Sequence, residues 1–328
     1  MQRHPEREEV QPILLNVYIL AGGSNWSWLL ASIESITSQV KTLPIEVVVS
    51  VNSPNIDIRK LENEVWGKAR IRNEQQRVPS EVHIWNCAAE CRSPYIMLFH
   101  DDDILASGYL EKALRLMKTE QPDLITTDMS FFSTQVPPSA VGHPSKRKDK
   151  SKMTKLTKGQ LAYRMLRGDA INFASCIYQT KKLVQCDLTA INQRYGKYSD
   201  RPLMLESAGE GGHIIHCTGN TVFTRVHKNQ DSQKRDPKAE EKRKELLNYY
   251  RNHLVSTKLG FRRYWTYACW RALHDCSPNI EWIRFALSRS KSGRCDVTLV
   301  GCLYCLLKMS RGSMQTVASK LTAWENSG

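Results

Sequence analysis

The chain has 328 residues, 41% hydrophobic and 24% charged, with a formal net charge of +14. This is the balance of a soluble globular protein with length for one large domain or two ordinary ones, and the positive excess suits an anionic partner: nucleotide, nucleic acid or acidic membrane surface. No stretch reaches the roughly 18 apolar residues of a membrane-spanning helix, and there are no internal repeats or low-complexity tracts. In chain order, the apolar run Leu14 to Leu20 predicts a strand ending at Ala21-Gly22-Gly23. Trp26 to Gln39 carries Leu29, Ile33 and Ile36 at helical spacing, continued by Val40 just beyond it. Glu46 to Val51 is a β-branched strand closed by the turn signal Asn52-Ser53-Pro54-Asn55. A charged helix is expected over 57–68, a third strand over 82–85 and a fourth over 95–100. A helix over 107–119, with Leu110, Ala113, Leu114 and Met117 on one face, then leads to a fifth strand over 124–127. Alternation of strands and helices predicts parallel pairing with ligands outside the carboxyl ends of the strands. Gly22-Gly23, Asn52 and the triplet Asp101-Asp102-Asp103 all fall at such ends.

The triplet is the strongest chemical signal. Carboxylates crowded at the end of a buried strand repel and are costly to desolvate, so they are expected outside the core and facing something positive. A hard divalent cation, Mg2+ or Mn2+, carrying a nucleotide diphosphate is one reading. An acidic strand-to-helix turn capping the helix after Ser107 is the other.

Beyond the fifth strand the pattern changes. Residues 146–158 hold seven basic residues against Asp149, a solvated loop or an anion clamp. A helix is expected over 158–166, an apolar segment over 171–177, a helix around 200–208 and two short strands over 214–217 and 221–225. From about Lys234 the chain turns basic and helical. The polar N-terminus, 1–11, has no apolar signal core, and ten cysteines in such a chain are expected to be reduced thiols of a cytoplasmic protein. Cys302-Leu-Tyr-Cys305 and His213-Ile-Ile-His216-Cys217 are read as packing positions, the latter because strand alternation separates its histidines.

Several motifs, in order, resemble those of glycosyltransferase family 2. Ser35-Ile-Thr-Ser-Gln39 resembles the end of that family's first helix, and Glu46 to Ser53 its second strand and nucleotide-base loop. Asn86, with Ser93 to Leu105, resembles the segment leading into its DXD metal motif, Tyr198-Ser-Asp200 its base motif, and Arg225-Val-His227 with Gln230-Asp-Ser232 its Arg-x-His and Gln-x-Ser ending. The resemblance runs from about Leu14 to Ser232. It implies an α/β GT-A fold, a Rossmann-like, mostly parallel sheet flanked by helices, with residues 13–105 forming the nucleotide-sugar half and 106–233 the acceptor half of a catalytic domain spanning 1–233. Residues 234–328 then form a basic helical extension. It further implies a metal site at Asp101 and Asp103 and donor contacts from Asn52, Asn86, Asp101, Asp102, Arg225 and His227. Asp200 becomes the base that takes a proton from the acceptor hydroxyl, with inversion at the anomeric carbon. The usual base-reading aspartate is replaced by Val51-Asn52, and the usual Tyr-Asn after the first strand by Ala21-Gly22-Gly23-Ser24.

Between Lys258 and Arg294, eight Lys and Arg residues oppose Asp275 and Glu281 and interleave with Trp265, Tyr267, Trp270 and Trp282. Such helices suit the headgroup zone of an anionic membrane, and a helical cap on the catalytic domain is the alternative. A lipid-diphosphate-linked glycan acceptor, as in assembly of a surface polysaccharide such as O-antigen or capsule, accounts for peripheral attachment to the inner face of the cytoplasmic membrane. A basic protein binding nucleic acid, or nucleotide sugar without catalysis, is the competing class. No nucleic-acid-binding signature is present, so no nucleic-acid partner is expected.

Overall fold

The computed structural model describes residues 12–23, 25–133, 152–167, 171, 173–227 and 237–255. Residues 146–151 of the basic loop, the Gln230-Asp-Ser232 ending, the Cys302/Cys305 pair and the extension from 256 lie outside the described residues. The chain forms two compact units, 1–161 with 168–246, and 162–167 with 247–328. The first carries the sheet and the site.

Apolar runs became the central strands. Strands β1 (Leu15–Ala21), β2 (Ile45–Val51) and β4 (Tyr95–His100) pair in parallel, with Leu15 opposite both Ile45 and Tyr95. A strand buried on both faces must be apolar at every position rather than at alternate ones, and Val17, Val49 and Phe99 on one face and Tyr18, Val48 and Leu98 on the other are all buried. Helix α1 (Trp26–Thr37) covers one face with Leu29, Ile33 and Ile36. Asn25 caps it by accepting from the N–H groups of Ser27 and Trp28, two of the donors a helix start leaves without partners. Helix α4 (Tyr109–Glu120) packs Leu110, Ala113, Leu114 and Met117 into the same core.

The complete nine-stranded sheet runs β3-β2-β1-β4-β8-β6-β9-β5, with β7 also paired to β9. Its further members are β3 (Arg70–Asn73), β5 (Ile104–Leu105), β6 (Leu124–Phe132), β7 (Met153–Leu156), β8 (Ile177–Gln179) and β9 (Ile214–Arg225). Antiparallel β8 stands between β4 and β6, so β4 and β6 themselves run parallel. Their carboxyl ends therefore open on the same edge as that of β1.

Two expectations fail for identifiable reasons. The third strand is not 82–85. That segment lies in helix α3 (Ser80–Glu90), and the strand is the polar Arg-Ile-Arg-Asn at 70–73. Val82, Ile84 and Trp85 have strand-forming side chains, yet His83, Cys87 and Ala88 make the buried stripe at helical spacing, and Val82 and Trp85 face out. Strand β3 is an edge, where charged residues are favoured. Arg70 pairs with Glu46 and Glu90, and Arg72 with Glu74 and Glu90. The second difference is at 214–225, expected as two strands. It is one strand, with a register irregularity against β6 at Thr127/Met129 and Gly219 at φ 112° in the interruption. The helices after β6 are α5 (Lys158–Arg167), α6 (Thr180–Leu183), α7 (Leu188–Tyr195), α8 (Asp200–Ser207) and α9 (Ala239–Val255).

Candidate active site

The triplet leaves the end of β4 and turns into β5, and both ends of that turn are pinned by α1. Ser32 Oγ donates to the His100 carbonyl at 3.0 Å, and Ser35 Oγ accepts the Leu105 N–H at 3.1 Å. Gln39 Nε2 donates to the Ala106 carbonyl at 3.1 Å. The Ser35 to Gln39 motif is thus a brace for the acidic segment.

The expectation that these carboxylates stay out of the core is corrected. Asp101 is buried and Asp103 is only 1% exposed. Burial is tolerated because each carboxylate accepts a backbone N–H: Asp101 Oδ2 from Gly22 at 2.9 Å and Asp103 Oδ1 from Arg225 at 3.1 Å. Asp102 Oδ2 meets His227 Nε2 at 2.9 Å. Arg225 is itself buried, 2% exposed, its guanidinium lying between the rings of Trp28 at 4.8 Å and Phe132 at 4.4 Å while Nε donates to the Asp102 carbonyl. The His227 ring lies 4.8 Å from Trp28. The Arg-x-His motif at the end of β9 therefore clips onto the triplet across the sheet.

One residue was missed as a site member. His100, Asp102 and Asp103 each offer a ligand atom within 4.8 Å of the others, a grouping that excludes Asp101. The signal was present, since His100 directly precedes the triplet, but only the folded turn brings it against Asp102 and Asp103 rather than its neighbour Asp101. Its side chain is 44% exposed and its Nδ1 stands 3.6 Å from Asp103 Oδ2, the separation of an ion pair rather than a hydrogen bond. Burial alone would lower the pKa of His100, but Asp103, with Asp102 and Asp101 behind it, lifts it to about 9. Burial pushes the Asp103 carboxyl above its ordinary value, with His100 opposing. Asp103 Oδ2 is buried without a hydrogen-bond partner. An orphaned carboxylate oxygen beside an imidazole and a second carboxylate is a donor set that fits a divalent cation.

The other expected residues divide. Asp200 opens α8, about a third exposed, with Arg201 Nε at 3.5 Å. Burial raises its pKa, and the charges of Arg201 and, less strongly, His100 pull against that rise. Asn52 and Asn86 already have partners. Asn52 accepts from the Val78 N–H and donates to the Val78 carbonyl, both at 2.9 Å, clamping the loop before α3. Asn86 donates to Glu74 at 2.8 Å. A separate cavity of about 350 Å³, lined in part by Thr42, Pro44, Arg115 and Lys118, lies beside the amino end of β2, away from this chemistry.

A parallel-centred sheet with an acidic, cation-fitting cluster beyond the carboxyl end of β4 defines a nucleotide-sugar-binding fold of the GT-A class. Residues 19–171, a little under half of the chain, match the family model of glycosyl transferase family 2, and the chain is a glycosyltransferase. Asp200, Arg225 and His227 lie beyond the matched residues. The fold is similar to crystal structures of residues 1–349 of S. aureus TarS. The first has a TM-score of 0.54 at 10% identity over 79% of this chain and 72% of that one. The complex of TarS 1–349 with UDP-GlcNAc gives 0.55 at 11% and that with UDP 0.53 at 12%, over the same shares of each chain. Identity this low establishes a shared fold. No curated protein matches the chain.

Proposed function

We propose that the chain is an inverting glycosyltransferase that moves a sugar from a nucleotide-sugar donor to a hydroxyl of a glycan acceptor. The observation that carries this reading is the His100, Asp102, Asp103 grouping at the carboxyl end of β4 in a family 2 domain. Asp102 and Asp103 would hold a divalent cation, Mn2+ or Mg2+, which supplies counter-charge to the departing diphosphate. Asp101, bonded to the Gly22 N–H, holds the β1 turn close to the donor cleft rather than filling the metal role expected of it. Arg225 positions Asp102 and Asp103 instead of meeting phosphate, because its guanidinium is spent between two rings. Asp200 takes the acceptor proton as general base. With one carboxylate on the acceptor side and no nucleophile assigned behind the sugar, displacement proceeds with inversion.

The acceptor we infer is a lipid-diphosphate-linked glycan in surface-polysaccharide assembly, met by a cytoplasmic enzyme held at an anionic membrane through its basic extension. Among the described residues no helix is long and apolar enough to cross a membrane, which accords with peripheral attachment. The test is a donor screen. Purified protein is incubated with a panel of nucleotide sugars, with and without Mn2+, and released nucleoside diphosphate is measured. UDP-GlcNAc leads the panel because the similar TarS fold was crystallised with it. Release from one donor is expected; release from none, across the panel and with acceptor glycans present, would sink the reading.

A further inference from the structure

The acidic cluster departs from an all-oxygen cation site in one side chain, His100. We propose that His100 is a nitrogen ligand to the divalent cation, so that the site is His-Asp-Asp and selects Mn2+ over Mg2+. This rests on the glycosyltransferase reading only for the presence of an ion.

The argument starts from which donor atoms are already taken. Asp103 Oδ1 accepts the Arg225 N–H, and Asp102 Oδ2 faces His227 Nε2. Those bonds fix one oxygen of each carboxylate, as outer partners of metal ligands do. What remains forward is Asp103 Oδ2, buried and without a hydrogen bond, and 3.6 Å from it His100 Nδ1. A buried carboxylate oxygen without a hydrogen bond is costly, and the facing imidazole meets it only at ion-pair distance. At 3.6 Å the imidazole is too distant to hydrogen-bond it but well placed to share an ion with it in place of that pairing. With the Asp102 carboxylate, all three ligand atoms fall within 4.8 Å of one another, so small side-chain rotations bring them onto one centre. The 44% exposure of His100 leaves an entry path from solvent.

Two neighbours are excluded by the same reasoning. Asp101 turns away to the Gly22 N–H. His227 is the other imidazole at hand, but its Nε2 is engaged with Asp102 and its ring lies against Trp28. It is a positioning residue. The donor set then determines selectivity. Mg2+ favours oxygen ligands in a strict octahedron and sheds water reluctantly, whereas imidazole suits transition ions, so one nitrogen tilts the site toward Mn2+.

The experiment uses the full chain and Mn2+ as probe, read by electron spin echo envelope modulation, which detects nitrogen bound to the ion, and by titration of affinity. Wild type and His227→Ala are expected to show nitrogen modulation, and His100→Ala to lose it while binding about 10–100-fold more weakly, the scale known for disturbing a metal's outer shell taken as a lower guide. His100→Asp keeps a donor in place should the alanine variant unfold. It is expected to bind Mn2+ without nitrogen modulation and to lose the preference over Mg2+. Bound Mn2+ without modulation in wild type overturns the inference, as does modulation that survives His100→Ala and vanishes in His227→Ala. If wild type binds no Mn2+ yet releases nucleoside diphosphate from a donor, the inference falls while the glycosyltransferase function stands.

Discussion

Asp103 and Asp200 are both aspartates whose pKa burial raises, and they differ in what each faces. Asp103 Oδ2 has no hydrogen bond and lies 3.6 Å from His100 Nδ1, whereas Asp200 stands at a helix start beside Arg201. Asp103→Ala should therefore abolish Mn2+ binding and donor turnover while leaving the far-ultraviolet circular dichroism unchanged. Full turnover in that variant would reject the metal role. Asp200→Asn should keep donor binding and cut transfer by roughly two to four orders of magnitude, the range for a lost general base. A base must be ionised to act, so a raised pKa brings the acid limb of kcat/KM to higher pH than an ordinary aspartate sets. The wild-type profile should show that limb and the Asp200→Asn profile should lack it.

The elements meet at the triplet. The turn after β1 reaches Asp101 through Gly22, and the end of β9 reaches Asp102 and Asp103 through Arg225 and His227. Gly23 sits at φ 86°, and a Cβ there would run into the Ser53 side chain, whereas a Cβ on Gly22 meets nothing within 4 Å. Gly23→Ala should thus cost at least about 1–2 kcal/mol for the left-handed backbone, read as a lower urea midpoint, with Gly22→Ala close to wild type. Helix α3 carries a second, independent constraint. Burial, with the Arg72 charge, lowers the pKa of His83 from 6.5 to about 4. The unfolded chain consequently takes up a proton that the folded one refuses as pH falls from 6.5 toward 4. Stability conferred by a neutral His83 is present above that window and lost through it, by up to ~3 kcal/mol. Urea unfolding at pH 7.5 and pH 5 should show a drop in wild type that is smaller in His83→Gln.

At the scale of the whole molecule, the net charge of +14 remains to be used. The basic and aromatic stretch 258–294 is expected to hold the enzyme on anionic membranes, each basic contact contributing on the order of 1 kcal/mol and weakening as salt screens it. Co-sedimentation should show binding to anionic but not neutral vesicles, reduced by added salt. Truncation after Asn229 should lower vesicle binding more than nucleotide binding. Equal binding to both kinds of vesicle, or to neither, assigns the charge another use.

The central strands were legible because burial on both faces demands unbroken apolar runs, which β1, β2 and β4 display residue by residue. The alternation of those runs with the periodic stripes of α1 and α4 was enough to set the fold class and to bring Gly22, Asn52 and the triplet to one edge. Edge strand β3 and helix α3 were not legible, because a polar edge carries no hydrophobic pattern and β-branched residues on a helix surface imitate a strand. The site was half legible for a related reason. A run of aspartates announces itself, but which oxygen is free depends on partners far away in the chain: Gly22 turns Asp101 inward, Arg225 and His227 tie Asp102 and Asp103, and Val78 occupies Asn52. Local sequence determines the strand and the charge at its end. Only tertiary packing, which supplies hydrogen bonds across more than a hundred residues, decides that the group facing forward is His100 with Asp102 and Asp103.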